Sequence, residues 1–305
     1  MALDEATSSF LAQAAETGAP PLYEMTPEDL RAMNDGFIDL YGPGPDMASV
    51  EDVTVPTGDG SSIPVRVLTP VGTPDGVLIY FHGGGWVVGN RDQFDTLARK
   101  LAEGTNCVVV LPDYRLAPEH VYPAAANDAW DVTTWTADRF AGSPLLVGGD
   151  SAGGNLAAIV AQRAVFEAGP AIAMQVLVYP VTDSDTDNET YRDPANQLML
   201  DAKSMEWFWD LYTPDAGTRS NPDASPLQGD VTGVAPAVVL IAEYDVLRGE
   251  GEAYVKKLTD AGVPVQSRVF DGQMHGFFQF VNILPGSDAG IDYVTVAVKS
   301  HLEAN

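Results

Sequence analysis

The sequence has 305 residues, 45% of them hydrophobic, and its formal net charge is −27 at pH 7. This length and apolar content suffice for one large domain with a sizeable buried core. The negative charge disfavours nucleic acid and anionic membrane partners, because their phosphate groups would be repelled. No apolar stretch reaches the roughly 18 residues of a membrane span, and the first residues lack the features of a signal peptide. We therefore expect a soluble, cytoplasmic protein.

The acidic residues and the single cysteine add little about function. The 43 acidic residues are scattered along the chain, which indicates a solvated acidic surface suited to salty surroundings, or a composition without a specific role. Cys107 cannot form an internal disulfide, and its apolar neighbours predict a place in a buried strand.

The first elements are two helices and a hairpin. Apolar residues recur at helical spacing over 5–17, and Thr26 followed by Pro27 is typical of a helix start. Because both helices precede any strand, they are candidates for a lid. Strands at 53–56 and 63–68 flank a turn-rich segment, which predicts an antiparallel hairpin. A proline in each strand favours the edge of a sheet.

Strands and helices then alternate, which predicts a parallel sheet covered on both faces. The predicted strands are residues 76–81, 107–111, 145–148, 174–179, 237–242 and 265–270. The predicted helices are residues 93–103, ended by Gly104, and residues 124–137, 153–168, 251–261 and about 289–302.

Residues 182–230 interrupt this alternation. The segment begins polar and then places Trp207, Phe208, Trp209 and Tyr212 in a helical stretch. We interpret it as a cap over the functional site. The aromatic residues are equally compatible with the core of an accessory helix.

A serine between two glycines, at 149–153, follows an apolar run and precedes an alanine-rich helix. The order strand, sharp turn, helix is typical of a nucleophile turn that exposes the Ser151 hydroxyl. The pattern alone is a weak indication, because roughly one chain in eight of this composition contains it by chance.

A serine nucleophile needs a base and an acid that orients the base. Of the four histidines, His275 directly follows a predicted strand after the serine, so we expect it to be the base. Asp245 ends the preceding strand and is our candidate for the acid, although it could also be an ordinary N-cap. Asp271, four residues before the histidine, is the second choice.

Acyl transfer also needs donors for the oxyanion of the tetrahedral intermediate. The glycines after His82 offer accessible backbone amides, and Ala152 supplies another at the start of a helix. We therefore expect Gly84, Gly85 and Ala152 to be the donors. The three glycines could alternatively form only a flexible loop.

Two further patterns do not predict sites. Residues 183–187 resemble the start of a calcium loop, but Asn188 replaces the required glycine and Pro194 stands where the bidentate glutamate belongs. The glycine-rich loop has the spacing of neither phosphate-binding motif. We expect no metal and no cofactor.

Five blocks in the same order resemble the motifs of the hormone-sensitive-lipase-like, or family IV, bacterial esterases of the α/β-hydrolase superfamily. The resemblance extends from about residue 53 to the C-terminus, and the aspartate before Ser151 is similar to the GDSAGG branch. The blocks are HGGGW at 82–86, DYRLAPEH at 113–120, GDSAGG at 149–154, YPVTD at 179–183 and HGF at 275–277.

The resemblance implies an α/β-hydrolase fold: a mostly parallel, eight-stranded central sheet with helices on both faces and a helical cap. It implies that residues 1–45 and 182–230 form the cap, and that residues 46–181 and 231–305 form the catalytic core. The implied roles agree with those argued above: nucleophile Ser151, acid Asp245, base His275, and oxyanion donors Gly84, Gly85 and Ala152.

The chain departs from the family pattern in two motifs near these residues. The family usually has Asp-Pro-Leu-Arg-Asp-Glu around the acid, whereas this chain has Asp245-Val-Leu-Arg-Gly-Glu250 and so loses one carboxylate. Before the histidine the family usually has Gly-Met-x-His, and here the residues are Gly272-Gln-Met-His275.

We expect a carboxylesterase that hydrolyses small-molecule esters with short to medium acyl chains through an acyl-enzyme. An amidase or arylformamidase is an alternative, because the triad does not distinguish esters from amides. A non-catalytic ligand receptor on the same fold is a second alternative, which the intact triad opposes. Exposed edge strands leave the formation of a homodimer open.

Overall fold

A computed structural model describes residues 2–304, and Met1 and Asn305, the ends of the expected cap and core segments, lie outside it. Its eight strands form one sheet in the order β1-β2-β4-β3-β5-β6-β7-β8. The pairs β1–β2 and β2–β4 are antiparallel, and all other pairs are parallel. The strands are β1 (Ser49–Pro56), β2 (Ser62–Thr69), β3 (Gly76–Phe81), β4 (Cys107–Pro112), β5 (Leu145–Asp150), β6 (Ile172–Val178), β7 (Ala237–Tyr244) and β8 (Val265–Met274).

Helices cover both faces of the sheet, as predicted. Alternate residues of β3 enter two different core clusters: Val77 and Ile79 pack with α5 and α6, whereas Leu78 packs with α4 and α10. The helices are α1 (Glu5–Glu16), α2 (Pro27–Asp35), α3 (Ile38–Tyr41), α4 (Asp95–Thr105), α5 (Ala124–Arg139), α6 (Ala152–Phe166), α7 (Glu189–Arg192), α8 (Ala202–Tyr212), α9 (Arg248–Asp260) and α10 (Pro285–Ala304).

The central strands explain why the alternation could be recognised in the sequence. Every residue of β3, β4 and β5 is buried, so these strands are short, nearly continuous apolar runs. Cys107 is buried in β4 as predicted, and burial raises the pKa of its thiol to about 11. The thiol is therefore not ionised at neutral pH, and it packs as a small apolar group.

Two local expectations are wrong. The helix predicted to end at Gly104 continues to Thr105, and Asn106 takes the left-handed conformation that ends it, with φ 55°. The strand with Pro64 is not at the edge of the sheet, because β2 pairs with β4 as well as with β1. Pro64 is tolerated because it precedes the segment that pairs with β4, which begins at Val65.

The N-terminal region contacts the 182–230 segment through the turn between α1 and α2. Thr26 caps α2, as predicted, by accepting a hydrogen bond from the Asp29 amide at 3.1 Å. Helix α8 packs on the short 3₁₀ turn Leu22–Glu24. There, the Lys203 ammonium lies 5.3 Å from the centre of the Tyr23 ring.

Candidate active site

Ser151 occupies a strained turn between β5 and α6. Its φ is 55° and its ψ is −120°, a conformation that residues with a side chain rarely adopt. A Cβ atom on Gly153 would lie 1.9 Å from the Phe81 carbonyl oxygen, and one on Gly149 would lie 2.4 Å from the Gly153 backbone. The turn is therefore possible only with glycine on both sides of the serine.

Three side chains predicted from different parts of the sequence meet at this turn. His275 Nε2 lies 3.0 Å from Ser151 Oγ, and His275 Nδ1 lies 2.7 Å from Asp245 Oδ2. They are brought together because β5, β7 and β8 are parallel, so the carboxyl ends of these strands lie at one edge of the sheet. Asp271 is exposed, and the carboxylate in contact with His275 is that of Asp245.

The Asp245 carboxylate fixes the orientation of the imidazole. Asp245 is fully buried, and its other oxygen accepts a hydrogen bond from the Leu247 amide at 2.9 Å. Because a carboxylate only accepts, Nδ1 of His275 carries the hydrogen, and Nε2 presents a lone pair to the serine hydroxyl. This is the arrangement needed to remove a proton from Ser151.

The glycine loop after β3 lies beside the serine turn. A Cβ atom on Gly153 would also lie 2.6 Å from the His82 carbonyl oxygen, so the loop and the turn are in direct contact. Gly84 and Gly85 have φ values of 113° and 59°, which favour glycine. Ala152 is the first residue of α6, where backbone amides have no partner within the helix. The start of the glycine loop and the first turn of α6 are thus in direct contact next to Ser151.

Asp150 connects the loop to the serine turn. One of its oxygens, Oδ1, accepts hydrogen bonds from the Tyr80 hydroxyl at 2.9 Å and the Gly83 amide at 3.0 Å. The side chain is 1% exposed, and burial raises its pKa to about 6 although the Tyr80 hydrogen bond opposes the shift. The sequence pattern identifies Asp150 only as a feature of one branch of the family. The sequence feature that could have identified its role is an acidic residue at the end of an apolar strand.

His82 has a structural part in the same loop. Its ring is fully buried and stacks on Tyr114, with 4.3 Å between ring centres. Nδ1 lies 2.8 Å from the Gly83 carbonyl oxygen, and the Tyr114 hydroxyl donates to the His82 carbonyl oxygen at 2.7 Å. Burial lowers the pKa of His82 to about 4, so the ring is neutral at pH 7. A neutral His82 donates from Nδ1 to Gly83 and helps to shape the loop.

Aromatic residues of α8 cover the glycine loop. A Cβ atom on Gly85 would lie 2.3 Å from the Phe208 ring, so this ring rests directly on the loop. Trp86, with φ 60°, stacks on Tyr212 with 4.3 Å between ring centres, and Trp209 lies 4.8 Å from the same tryptophan. The Phe208 ring therefore packs on the glycine loop, whereas Trp209 and Tyr212 are buried with Trp86 in the core.

The 182–230 segment also contacts the loop that carries Asp245. The Thr190 hydroxyl donates to the Val246 carbonyl oxygen at 2.7 Å and accepts from the Gly249 amide at 3.2 Å. A Cβ atom on Gly249 would lie 2.9 Å from the Thr190 hydroxyl oxygen. Glycine at this first departure from the family pattern therefore makes room for Thr190.

Glu250, a buried residue of α9, also connects the 182–230 segment to the region after Asp245. Its carboxyl accepts hydrogen bonds from the Thr182 amide at 2.7 Å and from the Tyr191 hydroxyl at 3.2 Å. The side chain is buried, and burial raises its pKa well above the usual value for glutamate. The start of the 182–230 segment is thus anchored to the first turn of α9.

Among residues 2–304, no group of three or more histidine, cysteine, aspartate or glutamate side chains is arranged to hold a metal ion. Asp183, from the segment that resembles a calcium loop, accepts hydrogen bonds from the Ser184 amide and the Gln228 side chain. Within the same range, no helix is both long and apolar enough to cross a membrane.

Comparisons with known proteins agree with the fold. A family model described as the alpha/beta hydrolase fold matches residues 78–279. The carboxylic ester hydrolase LipN of Mycobacterium tuberculosis is 38% identical over 276 residues, covering 85% of this chain and 73% of the relative. The ethyl acetate hydrolase of Pseudomonas putida is 37% identical over 264 residues, covering 83% of each chain.

Solved structures of esterases share nearly the whole architecture. The hyperthermophilic esterase of Pyrobaculum calidifontis superposes with a TM-score of 0.92 at 33% identity, covering 98% of this chain and 99% of the other. A thermostable esterase from Pseudomonas putida gives a TM-score of 0.90 at 37% identity, covering 99% and 98%. The chain therefore belongs to the α/β-hydrolase superfamily, in its hormone-sensitive-lipase-like family of ester hydrolases.

Proposed function

We propose that the protein is a carboxylesterase in which Ser151 is the nucleophile, His275 the general base and Asp245 the residue that orients the base. The observation that carries this proposal is the continuous hydrogen-bond chain from Ser151 Oγ through His275 to the buried carboxylate of Asp245. A serine hydroxyl is a weak nucleophile by itself, and a base at 3.0 Å supplies the activation it needs.

The reaction proceeds in two halves. Ser151 Oγ attacks the ester carbonyl carbon while its proton passes to His275 Nε2, and the carbonyl electrons move to the oxygen. The tetrahedral intermediate then expels the alcohol, which takes the proton from Nε2, and an acyl-enzyme remains. Water attacks the acyl group with His275 again as base, and release of the carboxylic acid returns the proton to Ser151.

The negative charge on the carbonyl oxygen requires donors that are in place before the reaction. We assign this role to the backbone amides of Gly84, Gly85 and Ala152. Supporting observations are the left-handed conformations of the two glycines and the position of Ala152 at the start of α6. No other residue can replace Gly84, because a Cβ atom at this position would lie 2.1 Å from the Val88 carbonyl oxygen.

We further propose that residues 1–45 and 182–230 act as a cap on a core of residues 46–181 and 231–305. The contact of α8 with the 22–24 turn and the Phe208 ring over Gly85 support this division. A cap whose Phe208 ring packs on the glycine loop would leave limited room for the acyl group, so we expect a preference for short to medium acyl chains. Relatives named as an ethyl acetate hydrolase and as carboxylesterases support this preference.

The test is a set of initial rates on p-nitrophenyl esters from acetate to palmitate, with Ser151→Ala as the reference. We expect turnover of the short esters, a decline toward palmitate, and a loss of at least about 10³-fold in the variant. If no ester is hydrolysed by the intact protein, amide substrates and ligand binding become the functions to test.

A cytoplasmic location and a homodimer remain predictions. Light scattering coupled to size-exclusion chromatography tests the second, since a dimer doubles the mass of the 32.4 kDa chain.

A further inference from the structure

The N-terminal segment is attached to the end of β8, directly before His275. The Asp4 amide donates to the Gly272 carbonyl oxygen at 3.1 Å, so the backbones of the two segments are in direct contact. Asp4 is also the N-cap of α1, where Oδ1 accepts from the Thr7 amide at 2.6 Å. Its second oxygen, Oδ2, accepts a short hydrogen bond from the Gln273 side-chain amide. One carboxylate thus begins a helix and binds the residue two positions before His275.

The Gln273 side chain is tightly enclosed. It is 5% exposed, and a Cβ atom on Gly286 would lie 2.0 Å from its Oε1 atom. Burial alone would raise the pKa of Asp4, but the hydrogen bonds from Thr7 and Gln273 outweigh burial and lower it. The carboxylate therefore remains ionised, and Gln273 donates to a charged acceptor, which gives a stronger hydrogen bond than a neutral one.

Contacts with the N-terminal region lie on both sides of His275 in the sequence. Before the histidine are the contacts of Asp4 with Gly272 and Gln273. After it, the Phe280 ring packs against Phe10 of α1, with 4.7 Å between ring centres. The Glu243 carboxylate of β7 accepts a hydrogen bond from the Gly272 amide at 2.7 Å. The loop that presents the imidazole to Ser151 is therefore held between β7 and α1.

We propose that Asp4 and Gln273 are a positioning pair: their hydrogen bond couples the docking of helix α1 to the placement of the His275 imidazole between Asp245 and Ser151. The inference rests on the proposed function of the triad. It also gives a role to the second departure from the family pattern, because methionine at position 273 could not donate to Asp4. Neither residue contacts the reacting atoms, so each acts through the histidine loop.

Two substitutions remove the contact without removing the helix cap or the packing. Gln273→Met keeps the volume of the side chain, and Asp4→Ser keeps an acceptor for the Thr7 amide but is too short to reach Gln273. We expect each to lower kcat by about five-fold at unchanged KM, the effect of one lost hydrogen bond. The double variant should lose no more than either single variant, because both remove the same interaction.

A reversed pair tests the contact by restoring it. Gln273→Glu places two carboxylates against each other and should lower kcat more than Gln273→Met does. Adding Asp4→Asn lets the new amide donate to the new carboxylate while its oxygen still caps α1, so kcat should return toward the original value. Asn106→Ala is the matched control, because it removes side-chain hydrogen bonds to Thr73 and Asp75 at the amino ends of β3 and β4, the edge of the sheet opposite to His275. It should lower thermal stability and leave kcat unchanged.

The outcomes separate this inference from the proposed function. If the intact protein hydrolyses esters and Ser151→Ala does not, the triad assignment is supported whatever the pair does. The positioning role is then wrong if Gln273→Met and Asp4→Ser lower only the melting temperature, if their effects on kcat multiply in the double variant, or if the reversed pair is as slow as Gln273→Glu alone.

Discussion

Burying a carboxyl group away from water costs free energy. The Asp150 carboxyl group is buried, one residue before the proposed nucleophile. Its oxygen Oδ1 holds the Gly83 amide and the Tyr80 hydroxyl, which fixes the glycine loop against the serine turn. The geometry of the proposed oxyanion donors thus depends on a carboxyl group whose pKa, about 6, lies close to neutral pH.

Asp150→Asn should therefore change how stability depends on pH. The pKa of Asp150 is about 6 in the folded protein and 3.8 as its ordinary value, so its contribution to folding is present at low pH and is lost as the pH rises through about 6. Between about pH 4.5 and pH 7.5, we expect the variant to gain stability relative to the original protein by about 1–3 kcal/mol. Urea unfolding of both proteins at the two pH values measures the difference. An equal difference at both values would contradict the raised pKa.

The residues of the proposed triad could be found from the sequence because each follows a strand, and the order serine, acid, histidine restricts the choice. Asp150, Gln273 and Thr190 could not be assigned in this way. Their partners lie far away in the sequence: Gly83, Asp4 and the loop after Asp245. A side chain that positions another group is recognisable only when the fold has placed both.

At the scale of elements, the sequence predicts the buried strands and long helices well, because their apolar runs and periodicity are strong. Helix ends are harder to predict from the sequence. Asn106 ends α4 because its side-chain amide also donates to the Thr73 carbonyl oxygen and the Asp75 carboxylate, both at 2.9 Å. The short helices α3 and α7 were not predicted. A single helical turn is marginal alone, and tertiary contacts such as those of Thr190 stabilise it.

Gly249→Asp, which restores the usual residue of the family, should be harmful in this chain. The new side chain would meet the Thr190 hydroxyl and the Asn188 side-chain oxygen and displace α7 from the loop of Asp245. We expect a loss of about 1–2 kcal/mol in the free energy of unfolding and a lower kcat. Thr190→Ala makes room, so the double variant should be more stable than the sum of the single effects indicates. Strictly additive effects would show that Thr190 is not the obstacle.

For the whole molecule, the dominant long-range interaction is repulsion among negative charges, because the chain has 43 acidic and only 16 basic residues. The basic side chains pair with several acids: Arg66 lies 2.9 Å from Asp52, 2.9 Å from Asp92 and 3.1 Å from Asp95. Such clusters reduce local repulsion but leave a large net negative charge. Composition reveals this excess, whereas the clusters depend on the packing of the hairpin against α4.

Salt should therefore stabilise the protein. Ions screen the repulsion among exposed carboxylates over a Debye length of about 10 Å at 0.1 M and about 3 Å at 1 M. The melting temperature should rise from low salt to about 1 M sodium chloride, most steeply below about 0.2 M, where screening changes fastest. A melting temperature that falls across this range would mean that the acid–base pairs outweigh the net repulsion.

The central claim is that Ser151 is a nucleophile activated by His275, and covalent labelling tests it most directly. Diethyl p-nitrophenyl phosphate reacts with such a serine: the oxygen–phosphorus bond forms and p-nitrophenolate leaves. Mass spectrometry of the intact protein and its peptides should find one diethylphosphoryl group, on Ser151, with loss of esterase activity in proportion. Ser151→Ala should remain unlabelled and His275→Ala should react far more slowly. A label on another residue, or equal labelling of Ser151→Ala, would contradict the account.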